Sequence, residues 1–317
     1  MRRFAVLIAM AALAACTSTG TAFNPPGSLV HRAATIYVSD QCSSSLLSFP
    51  ALGTGNVSPT TDVTGGATGI DGPYGVALDP TSLDLWVSNL SNASVEEFAA
   101  SATGNVAPLV TIAGSNTTFL EPVPDAVDVN GNLYVADQAG AVDIFAKGAS
   151  GNVAPTRRIT YSGFSDVEGV TVGSSGVTYV VDYGASAIDE FATTATGNAT
   201  PTATISGSNT TLNGPYGIAL DSKNNIWIAD YNTSSILEFA AGSSGNVAPI
   251  LTISGSNANL NEPYGIEVDA KGYVYAVSTS IPAINVFAPG ASGNVAPAQE
   301  IVGAATTLDC PSGIALH

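Results

Sequence analysis

Gly214-Pro215-Tyr216-Gly217-Ile218-Ala219-Leu220-Asp221-Ser222-Lys223-Asn224-Asn225-Ile226-Trp227-Ile228-Ala229-Asp230 decides how this chain folds. Pro215 to Asp221 is a short apolar run bounded by turn residues, the pattern of a buried strand. Ser222 to Asn225 tolerates left-handed backbone, and Ile226 to Asp230 supplies a β-branched and aromatic second strand, so the two runs form a hairpin. Ser235 to Phe239 reads as a third strand, the segment from Gly245 to Pro249 as a loop, and Ile250 to Ile253 as a fourth strand before Gly255 ends the run. Proline and glycine at this spacing would interrupt any helix.

Working outward from this unit, one pentapeptide recurs six times, beginning at Gly55, Gly104, Gly151, Gly197, Gly245 and Gly293. Five copies read Gly-Asn-Val-Ser-Pro or Gly-Asn-Val-Ala-Pro, and the fourth reads Gly-Asn-Ala-Thr-Pro. Successive copies are 49, 47, 46, 48 and 48 residues apart. That period suits a four-stranded propeller blade and is too long for most leucine-rich or ankyrin units.

The order of Pro-x-Gly-Ile-Ala-Leu-Asp, a strand like Asn-Ile-Trp-Ile-Ala-Asp and a strand ending in Phe resembles the NHL repeat family, over Ala34 to His317. The strongest copies start at Pro73, Pro215 and Pro263; those around Pro124 and Val170 depart by lacking the Gly and the Pro respectively. The resemblance implies an all-β, six-bladed β-propeller with four-stranded antiparallel blades. Pro311-Ser312-Gly313-Ile314-Ala315-Leu316-His317 matches only the first strand of a unit, whereas Thr35 to Asp40 matches a second strand and Leu46 to Phe49 a third. The amino-terminal strands are therefore expected to complete the blade that the carboxyl terminus begins, which covers the edges an open ring would expose.

The amino terminus carries Arg2 and Arg3 before an apolar run from Phe4 to Ala15, too short to span a bilayer and ordered like a signal peptide. Leu13-Ala14-Ala15-Cys16 resembles the bacterial lipobox, which implies a signal peptide over 1–15, lipidation of Cys16 and a flexible, Thr-, Ser-, Gly- and Pro-rich tether over 16–33 ahead of the propeller at 34–317. The alternative is an ordinary cleaved signal with a coincidental cysteine. A lipid anchor implies a bacterial cell-envelope protein bound to a membrane, and Thr17, where Asp favours inner-membrane retention, points to the outer membrane. Lys plus Arg number 8 against 25 Asp plus Glu, a net charge of -17, which disfavours nucleic acid as a partner.

Cys42 falls in the loop after a second strand, and Cys310 immediately precedes the innermost strand of the same composite blade. A Cys42–Cys310 disulfide is expected in an oxidising compartment, the alternative being two separate thiols.

Catalytic propellers of similar shape usually place metal ligands or a histidine at the mouth of the central channel. Here His31 lies in the tether and His317 is the last residue, standing where other units carry Asp79, Asp221 and Asp269, and no His-x-x-His spacing occurs. This weakens any resemblance to streptogramin-lyase-type propellers. Asp40, Asn89, Asp137, Asp182, Asp230 and Ser278 end successive second strands and fall on one rim, where they either bond the backbone of their own turns or offer oxygens to calcium or another hard divalent cation. Tyr74, Tyr216 and Tyr264 beside the entry to the innermost strand, with Tyr183 and Tyr231 after two of the Asp residues, are expected on the same face, as packing between loops or as a surface for a sugar or peptide. Asp128 to Asn132 looks like a calcium loop but lacks the downstream Glu and fits a hairpin turn. The leading expectation is a binding or scaffold module for a protein, peptide or glycan. The second is a metal-dependent lactonase or lyase resembling the gluconolactonase group, which would require pore-facing carboxylates converging on a metal.

Overall fold

The computed structural model describes residues 35–317, apart from the side chains of Pro124 and Asp125. The expected signal segment, the Cys16 lipidation site, the tether and His31 lie outside the described residues.

Six sheets are arranged around an axis as the blades of a propeller. In chain order the innermost strands are Pro73–Leu78, Pro122–Val127, Val167–Val172, Pro215–Leu220, Pro263–Val268 and Pro311–Leu316, and they define blades 1 to 6. Each pairs antiparallel with a second strand, as Pro215–Leu220 does with Ile226–Asp230, and blade 4 continues with Ser235–Phe239 and Leu251–Ile253. The fourth strand thus starts at Leu251 rather than Ile250, whose side chain is 59% exposed although its N–H still bonds the Glu238 carbonyl at 2.7 Å.

Blade 6 joins the chain ends. Pro311–Leu316 pairs with Thr35–Asp40, which pairs with Ser45–Pro50 and, through it, Thr61–Thr64. Backbone bonds from Thr35 to His317 at 3.1 Å and from Gln41 to Cys310 at 3.0 Å extend the ladder at both ends. The expected Cys42–Cys310 disulfide is present, with Cα atoms 5.2 Å apart and a sequence separation of 268.

The core lies between blades. Each of its six apolar clusters draws on the facing sides of two neighbouring blades, and each contains the Phe that ends one third strand: Phe49, Phe98, Phe145, Phe191, Phe239 or Phe287, all at most 1% exposed. No blade buries both faces alone, so the ring is the smallest unit that hides this surface from water.

The pentapeptide is more than a loop. The glycine of each copy forms a parallel bridge to the outermost strand of the preceding blade, as Gly245 does with Ile205 and Gly293 with Ile253. At Gly197–Asn198 two consecutive residues pair this way, which makes blade 2 a five-stranded sheet and departs from the expectation of four strands throughout. The asparagine that follows accepts an amide hydrogen bond from the loop beyond that strand, with Asn246 Oδ1 2.6 Å from the Asn209 nitrogen and Asn56 Oδ1 2.6 Å from that of Ala305. The third residue packs into the inter-blade cluster, as Val247 and Val295 do. Gly245 has a φ of +77°, so glycine is required for the bend.

Three expected outcomes follow from the clasp and the closure. Asn246→Ala lowers unfolding free energy by about 0.5–1.5 kcal/mol, the net value of one hydrogen bond, since the exposed Asn209 N–H exchanges its partner for water; a chemical-denaturation midpoint equal to wild type would contradict the clasp. Cys42→Ser costs about 2–5 kcal/mol, and deleting residues 311–317 abolishes the cooperative melt, as calorimetry would record.

Candidate functional site

The second position of each innermost strand faces the axis at one rim, and the residues there are Tyr74, Val123, Glu168, Tyr216, Tyr264 and Ser312. The small Ser312 leaves room for Tyr74 of blade 1 to reach Tyr264 of blade 5, ring centroids 5.8 Å apart. Tyr216 stacks on Tyr264 at 4.3 Å. Tyr183 and Tyr231 extend the group, 5.0 and 5.2 Å from Tyr216. The five expected tyrosines therefore form one contiguous cluster.

Tyr74 and Tyr216 stand on opposite sides of the ring, yet their hydroxyls interact with each other and with that of Tyr264. The three side chains thus cross the axis and plug this mouth of the channel. Tyr74 is buried at 5% exposure, whereas Tyr183 and Tyr231 are partly exposed. Burial, Glu168 and Tyr264 raise the pKa values of Tyr74 and Tyr216, and the Tyr74 hydrogen bond offsets part of the rise at Tyr216.

Beside the plug, Glu168 is 2% exposed and accepts a hydrogen bond at 2.8 Å from Gln138 Nε2 of blade 2. Its second oxygen meets no donor at hydrogen-bonding geometry. Burial, helped by the nearby Asp166 and Glu121, pushes its carboxyl up to about 8, outweighing hydrogen bonds from Gln138 and Tyr74.

The ring of second-strand residues is also present, but its oxygens are engaged. Asp40, Asp137, Asp182 and Asp230 are fully buried, and each accepts amide bonds both from its own hairpin turn and from the loop entering an innermost strand. Asp40 takes Ser43 and Asp309, Asp137 takes Ala139 and Leu120, Asp182 takes Ala185 and Ser165, and Asp230 takes Thr233 and Asn213. Asn89 accepts from Asp71 and donates to the Glu96 carboxylate, and Ser278 accepts from Asn261 and from Asn285 Nδ2. These groups fasten loops to strand ends, which satisfies amides that would otherwise be buried unpaired. Asp128 does the same in its hairpin, accepting from Asn130 and Asn132.

Below the plug runs the channel, a cavity of about 630 Å³ that reaches the opposite rim at Pro80, Ala270 and His317. Its wall is mainly apolar, from residues such as Val170, Ile218, Ile266 and Ile314, and glycines let the innermost strands approach closely. A Cβ on Gly169 would stand 2.5 Å from the Tyr216 carbonyl oxygen, and one on Gly265 2.6 Å from that of Ser312. Glu267 lines this cavity, and burial pushes its carboxyl up to about 7. It occupies the position held by Ala77, Ala126, Thr171, Ala219 and Ala315 in the other blades. Neither Glu168 nor Glu267 stands out by motif, yet both are visible as departures from the repeat once the six units are aligned.

Asp269 also borders the cavity, but its oxygens accept from Lys271, Tyr273 and the Tyr275 hydroxyl. Among the described residues, the group of three potential ligands that converges is Cys42, Asp309 and Cys310, whose sulfurs are bonded to each other. The donor set in the channel does not match the converging carboxylates that a lactonase-type metal would need.

Glu96, Glu168 and Glu267 sit at about 7, 8 and 7, so the folded protein holds these protons more tightly than the unfolded chain does. Their contribution is therefore full below the unfolded carboxyl value and is lost as pH rises through the folded values, between about pH 4.5 and about pH 8. The melting temperature is expected to fall across that window, and Glu168→Gln to flatten the fall. A melting temperature that climbs steadily from acid to alkaline pH would refute this assignment.

A model of the NHL repeat matches residues 212–239, which span the innermost three strands of blade 4. A search of curated proteins returns no sequence match. Among solved structures, a chain of a nidogen/laminin complex is 14% identical with a TM-score of 0.64, over 89% of this chain and 97% of that one. A Bacteroides caccae protein of unknown function is 9% identical with a TM-score of 0.64, over 89% and 98%. Virginiamycin B lyase from Staphylococcus aureus is 12% identical with a TM-score of 0.57, over 80% and 77%. At such identities the likeness establishes architecture alone. The chain is a six-bladed β-propeller whose fourth blade matches the NHL repeat.

Proposed function

We propose that this propeller is a membrane-anchored binding module of the bacterial cell envelope that engages a protein or peptide through its tyrosine-bearing rim. The observation that carries this is the contiguous cluster of five tyrosines, whose outer members Tyr183 and Tyr231 remain partly exposed. Tyrosine offers a rigid apolar face and a polar tip, the combination favoured at recognition surfaces. Leu120 and Ile281, 65% and 54% exposed, lie in loops of the same rim and add apolar contact. The propeller from the nidogen/laminin complex supports such use of this architecture, and a glycan is the competing occupant.

Anchoring rests on the lipobox-like Leu13-Ala14-Ala15-Cys16, with Thr17 pointing to the outer membrane. The chain enters the propeller at Thr35, which pairs near His317 at the rim opposite the tyrosines. A short lipidated tether therefore leaves the tyrosine rim free to face away from the membrane.

A photo-crosslinking residue in place of Tyr231, introduced in the source bacterium, is expected to capture a discrete protein, and one at Lys271 on the opposite rim is not. Tyr183→Ser with Tyr231→Ser should weaken that complex by about 2 kcal/mol or more, and Cys16→Ala should move the protein from the membrane to the soluble fraction. Equal capture from both rims, or adducts to glycan alone, would overturn the proposed partner class.

A further inference from the structure

The channel is separate from the tyrosine rim and closed off from it. Tyr74, Tyr216 and Tyr264 cross one mouth, so access is from the rim at Pro80, Ala270 and His317. The result is a blind pocket of about 630 Å³, within the range that holds a small organic molecule with most of its surface buried.

Two features define what fits. First, the wall is apolar over most of its length: counted from the start of each innermost strand, four of the six fifth residues are alanine, and the fourth residues are Val or Ile in blades 1, 3, 4, 5 and 6. Second, Glu267 of blade 5 belongs to this lining and, among the described residues, forms no salt bridge. Among the described residues the salt bridge is Arg158–Asp143 in blade 2, and the stabilising contact of Glu267 is the Val268 backbone N–H. The side chain is half-buried although blades 4 and 6 cover its flanks, so its accessible surface faces the cavity. A carboxylate held in an apolar enclosure without a counter-charge is costly unless it is protonated or paired. The innermost strands add to this, since each is the edge of its sheet and turns backbone carbonyls without strand partners toward the axis.

We infer that the channel is a binding site for an amphiphilic amine, whose apolar body lies against Val170, Ile218, Ile266 and Ile314 and whose ammonium group is held by Glu267. An ammonium group carries several N–H donors, which lets it engage the carboxylate and edge-strand carbonyls together. A carboxylate ligand is excluded by repulsion from Glu267 and by the acidic protein around it, and a bulky polar ligand by the lining. The small residue at the fifth position in the other blades leaves the volume that such a body fills.

Isothermal titration of the full chain with phenylbutylamine, phenylbutanol and phenylbutyrate tests this with one apolar body and three head groups. The amine is expected to bind at least about tenfold more tightly than either other compound. Glu267→Gln, which keeps the volume, and Glu267→Ala, which installs the residue of four other blades, should both erase the preference while melting at or above the wild-type temperature. Tyr183→Ser with Tyr231→Ser should leave it unchanged, which separates the channel from the rim. The inference is overturned if none of the three compounds binds, if all three bind alike, or if Glu267→Gln still prefers the amine.

Discussion

Everything in this molecule depends on the pairing of Thr35–Asp40 with Pro311–Leu316. The apolar clusters lie between blades, so a row of five complete blades would leave two broad hydrophobic faces and an unpaired edge strand in water. Building the sixth blade from both chain ends removes these faces at one point. The interaction has the longest sequence separation the fold contains, so it carries the largest loop-closure cost. Asp40 and the Cys42–Cys310 bond stand at that seam, where Asp40 accepts the amides of Asp309 and Cys310. The same aspartate position in blades 2, 3 and 4 closes an ordinary loop; here it closes the ring.

Closure at one seam would be insufficient if the remaining interfaces could slide. The pentapeptide resists that from outside and the innermost glycines from inside. At the circumference, the Gly–Asn pair reaches across to the neighbouring blade and fixes its outermost strand by backbone bonds. Near the axis, Gly169 and Gly265 allow a strand to lie against the carbonyl of the next blade, where any side chain would force the ring to expand. The spacing of blades is thus set at two radii by backbone geometry, and the phenylalanines fill what lies between.

The architecture was legible because repetition multiplies a weak signal. One Pro-Tyr-Gly-Ile-Ala-Leu-Asp run is an ambiguous apolar stretch, but six related runs at a nearly constant period with matched hairpins leave few folds to choose among. The tyrosine cluster was also legible, since Tyr74, Tyr216 and Tyr264 share one repeat position. The role of the pentapeptide was not, because a Gly-Asn-containing segment reads locally as a turn and its partners belong to the blade before it. Glu168 and Glu267 escaped for a different reason. Hydrophobic patterning treats a glutamate in a strand as a solvent-facing residue, and only the ring geometry turns those two positions toward the axis.

A symmetric scaffold also shows where to look for what is particular to this protein. Residues repeated in every blade, such as the Asn of the pentapeptide, the Phe of the third strand and most of the rim carboxylates, are accounted for by contacts that each blade makes in the same way. Structural demand is equal around the ring, so it does not explain a charged residue present once. Glu267 replaces alanine at a position where alanine serves blades 1, 2, 4 and 6, and it raises the cost of burial without gaining a protein counter-charge. Glu168 stands where blades 1, 4 and 5 carry tyrosine, and its hydrogen bonds from Gln138 and Tyr74 do not offset its burial. Stability alone would favour the consensus residue at both places. Two carboxyls that the fold does not need, one beside the plug and one in the cavity beneath it, place the individuality of this propeller on its axis.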